Sequence, residues 1–176
     1  MTPAQIIAAC SKNSELPFLI IGGMAVIAHG YPRDTVDLDY LVRRSDREAW
    51  RCALASHGYA IAYEHENFAQ FTSEPGGTDV DLMFVNDSTF DVMFAASTTQ
   101  DTGASPARFP SLEHLIALKL HVLKQGLRHR MLKDMDDVIN LLLANRVDLS
   151  QEQWRQLFEK YGNRDLYERI ARAIAP

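Results

Sequence analysis

The chain has 176 residues, 47 % of them apolar and 23 % charged, which fits one globular domain, or a small domain with a closely packed helical extension. A net charge of −5 excludes general electrostatic attraction to nucleic acid or anionic membrane, so any such contact has to be a local patch. Two cysteines, Cys10 and Cys52, cannot build a disulfide framework, and no basic-then-apolar leader or membrane-length apolar run is present, so a reduced, cytoplasmic setting is expected.

In chain order, residues 3–13 carry Ile6, Ile7 and Cys10 on one helical face. "FLIIGG" is a short apolar run ending in glycines, a buried strand entering a turn, and "MAVIAHG" suits a short helix closed by Gly30. "TVDLDYLV" is β-branched and alternating, a second strand. Ser45 with Glu48 reads as a capping box opening a helix that Gly58 ends. "YAIAYE" and "FAQFTS" form a hairpin, and the turn-rich "EPGG" separates it from the strand "TDVDLMFV". Residues 97–110, rich in Ser, Thr, Gly and Pro, read as a loop between two parts of the chain. Beyond it, Ser111 caps a helix to about Gln125, a second helix runs from about His129 to Ala144, Ser150 with Gln153 makes another capping box, and a last helix follows Asn163. The expected fold class is α+β: a small mixed sheet flanked by helices over residues 1–97, followed by a helical part over 108–176.

Two strands carry carboxylates where a core would be expected. Side chains alternate along a strand, so Asp37 and Asp39 share one face while Val36, Leu38, Tyr40 and Val42 take the other. "TDVDLMFV" repeats the arrangement with Asp79 and Asp81 opposite Val80, Leu82 and Phe84. If the strands are neighbours, three or four carboxylates converge, and like charges at that range raise one another's pKa or demand a cation. Oxygen-only ligands suit a hard ion such as Mg²⁺, which keeps waters and bridges to substrate phosphates. Gly22 and Gly23 lie between a strand and a helix, where backbone N–H groups favour an anion and the lack of Cβ atoms permits close approach.

Together Gly22-Gly23, the run Arg33-Asp34-Thr35-Val36-Asp37-Leu38-Asp39 and "DVDLMFV" resemble the nucleotidyltransferase superfamily that includes DNA polymerase β. They are most similar to its small bacterial members, the type IV abortive-infection toxins. The resemblance spans roughly residues 18–145. It implies that Asp37 and Asp39 bind the Mg²⁺ that carries a nucleoside triphosphate. It also implies that Asp81, with Asp79 as the alternate, completes a second metal position and activates the acceptor hydroxyl, and that Gly22 and Gly23 hold the β and γ phosphates. It further implies an inward Lys119, and a basic segment up to Lys133, toward triphosphate or RNA phosphate. Arg33 either neutralises phosphate or pairs with Asp34 or a strand aspartate. The implied reaction moves a nucleoside monophosphate from an NTP to a hydroxyl of a tRNA or a protein, with a cognate antitoxin as a partner and no membrane. Within the same fold, a small hydroxylated antibiotic is the alternative acceptor, and a non-enzymatic nucleotide-binding module is a third reading. Met24 follows Gly23 where some relatives place a serine, so a hydroxyl contact to phosphate is not expected.

The six histidines show no ligand motif, and no serine lies in a nucleophile elbow. Trp50 and Trp154 sit among apolar residues and read as core.

Overall fold

The computed structural model describes residues 3–35, 37–73, 78–101, 106–126 and 128–175. Val36 and the "EPGG" turn at 74–77 lie outside the described residues. The fold is α+β, as expected, and divides into two compact units: Met1–Ala25 with Asp34–Pro110, and Val26–Arg33 with Ser111–Pro176.

The first unit is built on a five-stranded mixed sheet in the order β1-β2-β5-β4-β3. Its strands are β1 (Leu19–Ile20), β2 (Leu38–Arg43), β3 (Ala60–His65), β4 (Phe68–Thr72) and β5 (Val80–Val85). β2 and β5 run parallel at the centre; β1 and the β3–β4 hairpin add antiparallel edges. One face carries Tyr40, Val42, Ala69, Phe71, Val80, Leu82 and Phe84. It packs into a core with Ile7 and Cys10 of helix α1 (Pro3–Ser14) and Trp50 and Leu54 of α3 (Arg47–Ala55). Both tryptophans are buried, as read.

Several elements begin elsewhere than the local signals suggest. The strand at "TVDLDYLV" starts only at Leu38, so Asp37 precedes it. The capping box at Ser45 does not form: residues Arg44–Asp46 make a 3-10 turn, and α3 starts after Asp46 with no side-chain cap. The backbone N–H of Ser45 is drawn instead to Asp87 Oδ1, 3.4 Å away. A helix absent from the sequence reading, α4 (Asp87–Ala95), follows β5. Its cap is Asn86, whose side chain accepts from Thr89 N at 2.8 Å. Residues 97–110, expected as a loop, contain a two-stranded hairpin of β6 (Thr98–Asp101) and β7 (Pro106–Phe109), which buries Ala107 and Phe109.

The second unit joins the end of helix α2 (Gly22–Ala28) and residues 29–33 to α5 (Leu112–Lys124), α6 (Arg128–Ala144), α7 (Glu152–Tyr161) and α8 (Arg164–Ile174). Gly30, at φ 94°, closes α2 as expected, with Tyr31 N donating back to Val26 O at 3.3 Å. Ser111 caps α5 through His114 N, and Asn163 caps α8 through Leu166 N. The expected box at Ser150 is replaced by an Asx turn: Asp148 Oδ1 takes both the backbone N–H and the hydroxyl of Ser150, and α7 starts after Gln151. Among the described residues, no helix is long and apolar enough to cross a membrane.

Candidate active site

Sheet register builds the site. Asp39 of β2 stands opposite Asp81 of β5, Asp81 opposite Gln70 of β4, and Gln70 opposite Tyr63 of β3. Residues paired across strands share a face, so these four form one row across the sheet, on the side away from the Tyr40–Leu82–Phe84 core. Gln70 Nε2 donates to Asp81 Oδ1 at 3.1 Å and fixes that carboxylate.

The glycine turn closes the other end of the row. β1 pairs with β2, and Ile21 N donates to Asp39 O at 2.9 Å, which sets the next residue directly against the Asp39 side chain. Gly22 adopts φ 61°, and a Cβ there would clash with Asp39 Oδ2 and come within 2.6 Å of Asp39 Cγ. Only glycine satisfies both demands. The two motifs that the sequence keeps 17 residues apart (Gly22 to Asp39) are thus in van der Waals contact.

Burial pushes the Asp81 carboxyl up to about 6; donation from Gln70 opposes the rise, and the charges of Asp39, Asp37 and Asp79 add to it. Asp37 and Asp79 are exposed and lie just ahead of their strands. Asp81 stands beside Asp39, whereas Asp79 is two residues before it.

These groups suit a hard divalent cation. The donors are all oxygens, and the penalty on charging Asp81 is one that a cation would relieve. Among the described residues, no group of three or more ligand side chains is gathered closely enough to hold an ion alone. Mg²⁺ does not ask for one: it is commonly held by one or two carboxylates with waters and substrate phosphates. Asp39 and Asp81 fit that description.

Arg33, Lys119 and Lys133 belong to the second unit. Lys119 is 6 % exposed, and its Nζ donates to Asp134 Oδ1 at 3.0 Å and Asp137 Oδ2 at 2.5 Å. Arg33 Nε lies 3.2 Å from Asp137 Oδ1, and Arg130 Nε 3.5 Å from Asp134 Oδ2. Lys119 and Arg33 therefore serve a buried ion network whose acidic members Asp134 and Asp137 come from α6, with Arg33 paired to Asp137. Tyr31 adds a parallel tie, its hydroxyl donating to Asp136 Oδ2 at 2.8 Å. Lys133 is exposed. Gln70 and Tyr63 were not singled out in the sequence; the signal available was a polar residue interrupting the apolar alternation of "FAQFT".

No protein-family model matches the chain, and no curated protein matches it. Solved structures do. ANT(2'')-Ia, in complex with adenylyl-2''-tobramycin, superposes with a TM-score of 0.66 at 15 % identity, over 90 % of this chain and 94 % of its own. The lincosamide antibiotic adenylyltransferase LnuA, lincomycin-bound, gives 0.56 at 15 % identity over 78 % and 93 %. An antigenic nucleotidyltransferase-like protein from Paracoccidioides brasiliensis gives 0.52 at 17 % identity over 98 % and 94 %. The chain has the nucleotidyltransferase fold.

Proposed function

We propose that this protein is an Mg²⁺-dependent nucleotidyltransferase that moves a nucleoside monophosphate from an NTP to a hydroxyl and releases pyrophosphate. The observation that carries the reading is the register pair Asp39–Asp81 with Gly22 seated against Asp39, in a fold shared with adenylyltransferases.

In this reading Asp39 and Asp81 would hold the metal, with the charge of Asp37 nearby, and the metal when bound would supply charge neutralisation at the reacting phosphate oxygens. Gly22 and Gly23 let the triphosphate approach the backbone beside Asp39. Asp81, oriented by Gln70, receives the acceptor hydroxyl and takes its proton. The acceptor oxygen bonds to the α-phosphorus as the bond to the β-phosphate oxygen breaks, and the electron pair leaves with pyrophosphate. The protein's share is position and electrostatics rather than covalent catalysis. Arg33 and Lys119 serve the α6 ion network within the second unit.

A small hydroxylated acceptor is the first reading, since ANT(2'')-Ia is in complex with adenylyl-2''-tobramycin and the lincosamide antibiotic adenylyltransferase LnuA is lincomycin-bound. A tRNA or protein acceptor, and with it a toxin role, is the second; the exposed Lys124 and Lys133 favour it. The test is incubation with Mg²⁺ and each α-³²P-labelled NTP, against hydroxylated antibiotics and against total RNA and protein, with the Asp39→Asn protein alongside. Label appearing in an acceptor with wild type and falling by at least about a thousandfold with Asp39→Asn supports the reading; equal labelling by both overturns it.

A further inference from the structure

The row of paired residues does not end at Gln70. Tyr63 continues it on β3, and on the same face His65 pairs with Phe68 of β4. The three rings cluster: Tyr63 to His65 is 5.8 Å between centroids, His65 to Phe68 is 5.7 Å and stacked, and Tyr63 to Phe68 is 6.3 Å. None of the three belongs to the core cluster of the opposite face; Phe68 continues across the sheet to Met83 and the buried Leu41, while Tyr63 and His65 lie on β3, an edge strand. Tyr63 is 57 % exposed. An aromatic group that gains so little from burial, placed at the edge of a carboxylate row, offers its ring face to a ligand.

Resting on the nucleotidyl-transfer reading above, we propose that Tyr63, His65 and Phe68 form the acceptor subsite, and that its occupant is a cationic, hydroxyl-bearing ring compound. Two substrates need two flanks. One flank of the Asp39–Asp81 pair is closed by the glycine turn, which suits the phosphates; on the other flank the row continues through Gln70 to Tyr63. Two interstrand spacings separate Asp81 from Tyr63, about 10 Å, so a compound of two or three rings can stack on Tyr63 while a hydroxyl reaches Asp81.

Charge selects among compounds of that size. Asp37 and Asp79, both exposed, add their negative charge at Asp81 to that of its neighbour Asp39. The arginines of β2, the 3-10 turn and α3 are committed to other acids: Arg43 to Asp91 at 2.6 Å, Arg44 to Glu66 at 3.6 Å, and Arg47 and Arg51 to Glu64 at 2.6 and 2.7 Å. An amine is attracted to this field and to the Tyr63 ring face, whereas a polyphosphate chain such as RNA is repelled.

The test is titration calorimetry of the full chain with kanamycin as a cationic hydroxylated probe, maltotriose as an uncharged counterpart and an RNA oligonucleotide as competitor, for wild type, Tyr63→Ala and Tyr63→Phe. Kanamycin is expected to bind wild type more tightly than maltotriose does and to resist displacement by RNA. Its affinity should fall about three- to thirtyfold in Tyr63→Ala and recover in Tyr63→Phe. Unchanged affinity in Tyr63→Ala, or no preference for kanamycin over maltotriose and RNA, overturns the subsite. The label-transfer assay separates the two claims. Transfer that is indifferent to Tyr63 sinks the subsite and leaves the transferase; Tyr63-dependent kanamycin binding without transfer to any acceptor sinks the transferase and leaves the binding site.

Discussion

Replacing Asp81 by Asn tests the electrostatics of the site in a single substitution. Asparagine keeps the size of the side chain and an oxygen that can accept from Gln70 Nε2, so the row stays intact. What disappears is a carboxylate whose pKa is raised from 3.8 to about 6. The sign follows from proton uptake. Between pH 4 and pH 6 the folded chain holds a proton that the unfolded chain has released, so this group's contribution is full below pH 4, is lost as pH rises to 6, and leaves a constant penalty above. At about 1.4 kcal/mol per pKa unit the penalty is about 3 kcal/mol, and partial exposure of Asp81 screens it to roughly 1–2 kcal/mol. In the metal-free protein at pH 7.5, Asp81→Asn should therefore raise Tm by about 3–6 °C. At pH 4 the gain should vanish. Mg²⁺ should raise the wild-type Tm at pH 7.5 and have much less effect on the variant, because the charge it would neutralise is gone. The assay is thermal unfolding at both pH values with and without Mg²⁺. A variant destabilised at pH 7.5, or stabilised equally at pH 4, would refute the reasoning.

Gly22→Ala should destabilise the fold by about 2 kcal/mol or more, since alanine meets both the positive φ and the Asp39 carboxylate; chemical denaturation showing a loss under about 0.5 kcal/mol would contradict the contact. Lys119→Met should cost about 3–5 kcal/mol, because Asp134 and Asp137, 2 % and 1 % exposed, lose their shared cation. A loss below about 1 kcal/mol would show that the network is not the role of Lys119. Tyr63→Ala should raise the acceptor KM with little change in the KM for NTP, the steady-state counterpart of the calorimetric test above.

Local chemistry made some elements legible. The hairpin read from "YAIAYE" and "FAQFTS" matches β3 and β4 to within a residue or two, and Ser111 and Asn163 cap the helices they precede. Capping signals misled where a nearer acceptor intervened: Asp148 took the Ser150 hydroxyl, and Asp87 drew the Ser45 N–H. The spacing of Asp37 with Asp39 and of Asp79 with Asp81 announced two carboxylate faces. It could not announce that β2 and β5 are parallel neighbours with Asp39 level with Asp81, because such a pairing is set by a crossover of some forty residues with no local signal. The contact of Gly22 with Asp39 is of the same kind. Lys119, flanked by apolar residues, was recognisable as inward-facing; that its partners are Asp134 and Asp137 depends on how α5 meets α6.

The most direct test of the central claim is single-turnover transfer from an α-³²P-labelled NTP, with Mg²⁺ and saturating hydroxylated acceptor, for wild type, Asp39→Asn and Asp81→Asn. Transfer by wild type that falls by at least about a thousandfold in both variants, while circular dichroism shows both folded, is the predicted result. Transfer that persists in either folded variant would contradict the assignment of the Asp39–Asp81 pair as the catalytic centre.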